Sequence, residues 1–168
     1  MLDYFLSGDF EMLESVRKCV IYGRKELEIH IFKESPEAFL LDKSLVGLKG
    51  EELKKALKKP FYVEEDLKIK VCYEDEKYIF TIPKGYDWNG ANVPACAWLL
   101  IGQQKEPRFK LASCVHDFLC ENKDAIDRNR YLSTLIFEVL CEYFGRFNAV
   151  KRWAMFHIVD NFQKFQGW

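Results

Sequence analysis

Two adjacent residues, His116 and Asp117, are the groups in this chain best suited to chemistry. They lie in Leu111-Ala112-Ser113-Cys114-Val115-His116-Asp117-Phe118-Leu119-Cys120. A histidine exchanges protons near neutrality, which makes His116 the candidate general base. Neighbouring side chains on a helix point about 100° apart, so Asp117 would address a different group. One would serve a water or a nucleophile. The other would orient a partner or hold a metal. The competing reading is a hydrogen-bonded core histidine beside an acid on the solvent strip. Upstream runs Ile82-Pro83-Lys84-Gly85-Tyr86-Asp87-Trp88-Asn89-Gly90-Ala91-Asn92-Val93-Pro94, a turn-rich segment crowded with polar side chains. Asp87, Trp88, Asn89 and Asn92, with Ser113 from the helix, are the candidate binding residues. Asn89-Gly90 is a strong turn signal, so these amides could equally satisfy their own backbone.

The spacing of Asp87, Asn89 and Asn92 is compatible with a hard cation such as calcium. Cys114, His116 and Cys120, with Cys96 upstream, offer zinc-type donors. On a helix, however, positions 114 and 120 point about 120° apart, which argues against zinc. The cofactor is therefore left unassigned, with neither calcium nor zinc favoured. Cys96 and His116 are a further candidate nucleophile pair, but the apolar run Pro94-Ala95-Cys96-Ala97-Trp98-Leu99-Leu100 is expected to bury an inert thiol. None of the six cysteines forms Cys-x-x-Cys, and reduced, buried thiols are expected. His157 and Asp160 are explained as well by an amphipathic flank as by a functional role.

These residues need elements to hold them. The first layer covers residues 1–60. Asp9 is expected to cap a helix through Met12, Leu13, Val16 and Val20, ended by Gly23. Leu27, Ile29 and Ile31 alternate with polar neighbours, which predicts a strand with His30 on its solvent face. Ser35-Pro36-Glu37 opens a short helix, and Glu51 to Lys59 forms another, with a solvated lysine face and a stop at Pro60. Residues 61–168 form the core domain. Val63, Leu67, Ile69 and Val71 predict one strand; Tyr78, Phe80 and Ile82 predict its partner across a Glu74-Asp75-Glu76 tip. Three helices follow, over about 108–122, 128–144 and 148–165.

On the first of these, Leu111, Cys114, Val115, Phe118 and Leu119 form an apolar face, and Ala112, Ser113, His116 and Cys120 a face of small residues. Such a helix is sandwiched between neighbours, with room beside His116 for a backbone, a water or a ligand. Asp124 or Asp127 is expected to cap the second helix, and Gly145 to end it. Val150, Ala154, Ile158, Phe162 and Phe165 are the expected core face of the third. Strands and helices are segregated along the chain. That order predicts an α+β fold: a small antiparallel sheet packed with a C-terminal three-helix unit, plus a mixed α/β N-terminal layer.

With 168 residues, 49% apolar and 15% aromatic, the chain has ample material for a core. A net charge of −1 offers no general attraction to nucleic acid or anionic lipid. No apolar run approaches the roughly 20 residues a bilayer span needs. Met1-Leu2-Asp3-Tyr4-Phe5-Leu6 has no basic start, which is unlike a signal peptide, so a cytoplasmic location is expected.

The strand ending in Ile82-Pro83-Lys84-Gly85, the loop Trp88-Asn89-Gly90-Ala91-Asn92-Val93-Pro94, the helix with His116-Asp117-Phe118-Leu119 and two closing helices resemble the phage- and prophage-associated family named domain of unknown function 1353. The resemblance covers about residues 61–168. It implies Asp and Ser in the loop, where this chain has Asn89 and Asn92. It also implies an Asp on the helix after His-Asp, where the nearest equivalents are Ser133 or Thr134. The His-Asp helix is similar as well to the catalytic pair of secreted phospholipases, an analogy only.

Two functions follow as expectations. One is a phage or prophage accessory protein that binds a host or virion partner through or beside the His-Asp cleft. Asn89, Asn92 and Ser133, none of which can supply a full negative charge, favour it. The other is a small hydrolase with His116 as general base and Asp117 as metal ligand or orienter. Ten apolar side chains between Phe10 and Leu41 are too many to leave in water, so residues 1–60 are expected to cover the sheet or mediate self-association.

Overall fold

The structure, a computed structural model, describes residues 14–21, 25–33, 35–90, 107–165 and 167–168. Asn92, Cys96 and Trp98 lie outside the described residues.

The fold is α+β, with two small antiparallel sheets and C-terminal helices. Strands β1 (Glu14–Ile21), β2 (Lys25–Ile31), β5 (Leu67–Tyr73) and β6 (Glu76–Ile82) form a four-stranded sheet in the order β1-β2-β5-β6. Strands β3 (Leu40–Asp42), β4 (Phe61–Val63) and β7 (Asp87–Trp88) form a second sheet in that order. Each sheet joins strands from both sides of residue 60. Helix α1 (Gly50–Lys58) links β3 to β4. Helices α2 (Lys110–Glu121), α3 (Arg130–Tyr143) and α4 (Ala149–Phe165) close the chain. No described helix is long and apolar enough to cross a membrane.

The expected helix over Met12 to Val20 is a strand where it is described. Residues 14–21 pair with β2, and the register shifts between Val16 and Cys19. Residues four apart, as Val16 and Val20 are, share a face on a helix and on a regular strand alike, so their spacing does not separate the two. Val63 also departs from the expected strand. The break at Glu64-Glu65-Asp66 puts it in β4 and the second sheet. The Glu74-Asp75 tip holds for a local reason: both residues take positive φ, the conformation a two-residue hairpin turn demands.

Leu27, Ile29 and Ile31 on β2, Leu67, Ile69 and Val71 on β5 and Ile82 on β6 are buried. They share one core with the apolar faces of α2 and α3. On α2, the five residues of the predicted apolar face are all buried. On α3, Leu132, Leu135, Ile136, Val139 and Leu140 are buried as expected. The cap is Asn129, whose side chain accepts from the Leu132 amide at 2.9 Å, rather than Asp124 or Asp127. Phe144 rather than Gly145 occupies the C-cap. The face of α4 matches the expected one only in part: Ala154 and Ile158 pack against the core, but the ends of the expected stripe do not. Val150 and Phe165 are exposed at 76% and 89%, whereas Met155, Phe156, Val159, Asp160 and Gln163 are buried. Two polar residues interrupt the inward face.

Candidate functional site

Trp88 anchors the loop to the helix. β7 is only two residues long, but its pairing with β4 sets Trp88 against Phe61, with ring centroids 5.4 Å apart. The indole is 1% exposed, and its Nε1 donates to Ser113 Oγ at 3.1 Å. Ser113 in turn donates to the Lys110 carbonyl at 3.1 Å. A buried indole N–H without a partner would cost about 1–3 kcal/mol, so this bond fixes how the loop meets α2.

Beside it lies a cavity of about 430 Å³ lined by Trp88, Asn89, Ser113, His116, Asp117 and Cys120, with further walls from α3, α4 and the C-terminus. The structure thus brings together five of the seven residues singled out from sequence: Trp88, Asn89, Ser113, His116 and Asp117. Asp87 does not line the cavity. It pairs with Lys43 at 2.7 Å and Lys59 at 3.3 Å, and Lys59 does line the cavity. Burial raises the Asp87 carboxyl, but the two lysines outweigh it and hold the pKa below the usual range. Asn92 lies outside the described residues.

His116 sits at the centre of a hydrogen-bonded network. Its Nε2 is 2.8 Å from the Gln163 side-chain nitrogen. That amide also donates to Ser133 Oγ at 2.8 Å, while its oxygen accepts from Thr134 Oγ1 at 2.7 Å. Ser133 and Thr134 each bond the Arg130 carbonyl as well, at 3.0 and 3.3 Å. On the other edge, His116 Nδ1 is 3.8 Å from Asp117 Oδ1 and 3.8 Å from Cys120 Sγ. At 3.8 Å the carboxylate attracts by charge rather than through a hydrogen bond, as the divergence of adjacent helical side chains requires. Phe137 meets the ring edge-on at 5.4 Å.

Burial opposes charging the imidazole, yet Asp117 and Cys120 outweigh it and raise the His116 pKa to about 9. Burial also pushes the Asp117 carboxyl up, against the attraction of His116. The pair therefore keeps a proton through neutral pH. Gln163 suits both states of the ring. A neutral imidazole accepts at Nε2 from the amide N–H. A charged one donates to the amide oxygen once the amide turns over; Ser133 then donates to the same oxygen and Thr134 accepts from the nitrogen. Either way Nε2 faces Gln163.

The family model described as Protein of unknown function (DUF1353) matches residues 65–159, more than half of the chain. The chain belongs to this family. No curated protein and no solved structure matches it. Within this DUF1353 chain the match takes in His116, Asp117, Ser133 and Thr134. Gln163, Lys59 and Trp168 fall outside it. Ser133 and Thr134, where the resemblance implies an acid, both bond the amide that bonds His116.

Sequence reasoning missed Gln163, Phe137, Val159, Lys59 and Trp168 as lining residues. For Gln163 a signal existed: Val159, Asp160 and Gln163 continue the spacing of Met155 and Phe156 on one side of α4. Asp160 is 8% exposed and holds Arg130, which ties α4 to α3. His157 points outward and packs on Trp153, with centroids 4.6 Å apart. Cys114 is buried in the core whereas Cys120 lines the cavity, so the two thiols part as their helical spacing predicts.

Proposed function

We propose that this DUF1353 protein is a binding protein, an accessory of phage or prophage type, that takes a group from a host or virion partner into the His116–Asp117 cavity. The observation that carries this reading is the 2.8 Å contact between His116 Nε2 and Gln163. A general base needs a lone pair aimed at the proton it removes. Here one ring nitrogen faces a buried amide in either protonation state, and the other faces Asp117 and Cys120. The imidazole works as a structural hub that holds α2 to α4. It also presents Asp117 to the cavity.

The lining suits a group with a flat or apolar body and a hydrogen-bonding head. Trp88, Phe137, Val159 and Phe162 supply apolar wall, and Asn89, Ser113, Asp117 and Gln163 supply polar contacts. The test pairs a hydrolase panel with a fragment screen followed by ligand-observed NMR, on the full chain and on Asp117→Asn. Binding that is saturable and weakened in Asp117→Asn, with no turnover, supports the reading. Turnover of any ester, phosphodiester, glycoside or peptide that disappears in His116→Ala establishes the hydrolase instead.

A further inference from the structure

The open face of the four-stranded sheet carries a second cluster, separate from the cavity. Leu27, Ile29 and Ile31 point into the core, so Glu28 and His30 share the opposite face of β2. Cys72 on β5 is the cross-strand partner of Glu28, so its side chain rises on that same face. The carboxylate, imidazole and thiol donor atoms of the three residues all lie within 4.8 Å of one another. Glu28 Oε1 and His30 Nε2 are 3.0 Å apart. Glu28 is exposed, and His30 and Cys72 are half-buried, so the trio is open to solvent on one side.

We propose that Glu28, His30 and Cys72 form a zinc site with three protein ligands and a fourth position open to water or to a partner's donor. One oxygen, one nitrogen and one sulfur are the donor types zinc accepts, and a thiolate disfavours calcium or magnesium. Zinc bonds of about 2.0–2.3 Å in a tetrahedron place the donors roughly 3.3–3.7 Å apart. The three donor atoms already lie within 4.8 Å of one another, and two hydrogen-bonded strands hold the residues that carry them. Lys70, across from His30, and Lys77, across from Cys72, border the cluster. Against those cations the dication is held only by the deprotonated thiol together with the Glu28 carboxylate. Binding therefore releases a proton from Cys72.

The test uses the full chain, reduced and stripped of metal, titrated with zinc alone against a chromophoric chelator and separately with cobalt. One metal per chain is expected, with thiolate-to-cobalt charge-transfer absorption. Cys72→Ser should lose that absorption, and Cys72→Ser and His30→Ala should each weaken zinc by about tenfold or more. Glu28→Gln removes a ligand from an exposed position and serves if either of those variants fails to fold. Cys120→Ser and His116→Ala should bind as the parent does. Failure of the parent to take up stoichiometric metal, unchanged affinity in the ligand variants, or loss of binding in Cys120→Ser would each overturn the assignment.

Discussion

Replacing Gln163 by Ala removes the amide that joins α4 to α2 and α3. Four polar groups meet that amide: His116 Nε2, Ser133 Oγ, Thr134 Oγ1 and, at 3.6 Å, Cys120 Sγ. Ser133 and Thr134 keep their bonds to the Arg130 carbonyl. The penalty therefore falls mainly on His116, whose imidazole has 12% of its surface exposed and loses its close partner. A buried polar group left unpaired costs about 1–3 kcal/mol, and the truncated side chain adds a small void, so about 2–4 kcal/mol is expected. For a chain of this length each kcal/mol shifts Tm by about 2–4 °C, which makes the fall roughly 4–16 °C. Differential scanning calorimetry at neutral pH measures it. Gln163→Glu keeps the acceptors and adds a charge beside the imidazole, so it should recover much of the loss at pH 7. A Gln163→Ala protein as stable as the parent would refute the network as the tie between these helices.

Stability should fall as pH rises from 6.5 to about 9, because the folded state binds the His116 proton more tightly than the unfolded chain does. The contribution is present below pH 6.5 and lost by about 9, on the order of 3 kcal/mol from about 1.4 kcal/mol per pH unit. Burial raises Glu138 from 4.5 to about 7, with Glu142 adding to burial and Arg152 opposing it, so a similar loss precedes that one between those values. Denaturant melts across pH 5–9 check both, and a flat profile counts against them. Ser113→Ala strips the Trp88 indole of its acceptor and should cost about 1–3 kcal/mol, read by chemical denaturation. Removing residues 1–60 takes β2 from the edge of β5 and β3 from β4. Exposed edges of that kind pair with other chains, so the fragment should aggregate in size-exclusion runs; a soluble, folded fragment would show that residues 1–60 cover nothing essential.

The elements most legible in the sequence were those with one clean periodicity. β2, β5 and β6 alternate, and α2 and α3 each carry a stripe of apolar residues at helical spacing that is buried. Legibility failed where the pattern was ambiguous or interrupted. The i, i+4 spacing of Val16 and Val20 suits a helix and a strand alike, and β1 is a strand. On α4, Asp160 and Gln163 interrupt the buried stripe while Val150 and Phe165 stand in solvent, so hydrophobicity alone placed Ala154 and Ile158 against the core but not the rest of the face. The gathering of Trp88, Asn89, Ser113, His116 and Asp117 was anticipated from the small residues around His116 and the polar loop. The partners that give the site its chemistry were not. Gln163 and Lys59 reach it from elements far away in sequence, and only tertiary packing brings them there.

The most direct test of the central claim, that His116 is held by Gln163 rather than free to act as a base, is a pH titration of its imidazole nitrogens by long-range nitrogen–proton NMR. A titration near pH 9 is expected in the parent. The Nε2 signal should be that of a hydrogen-bonded nitrogen and should shift in Gln163→Ala. An imidazole that titrates near 6.5 with the same nitrogen shifts in parent and variant would contradict it, and would return His116 to the role of an available base.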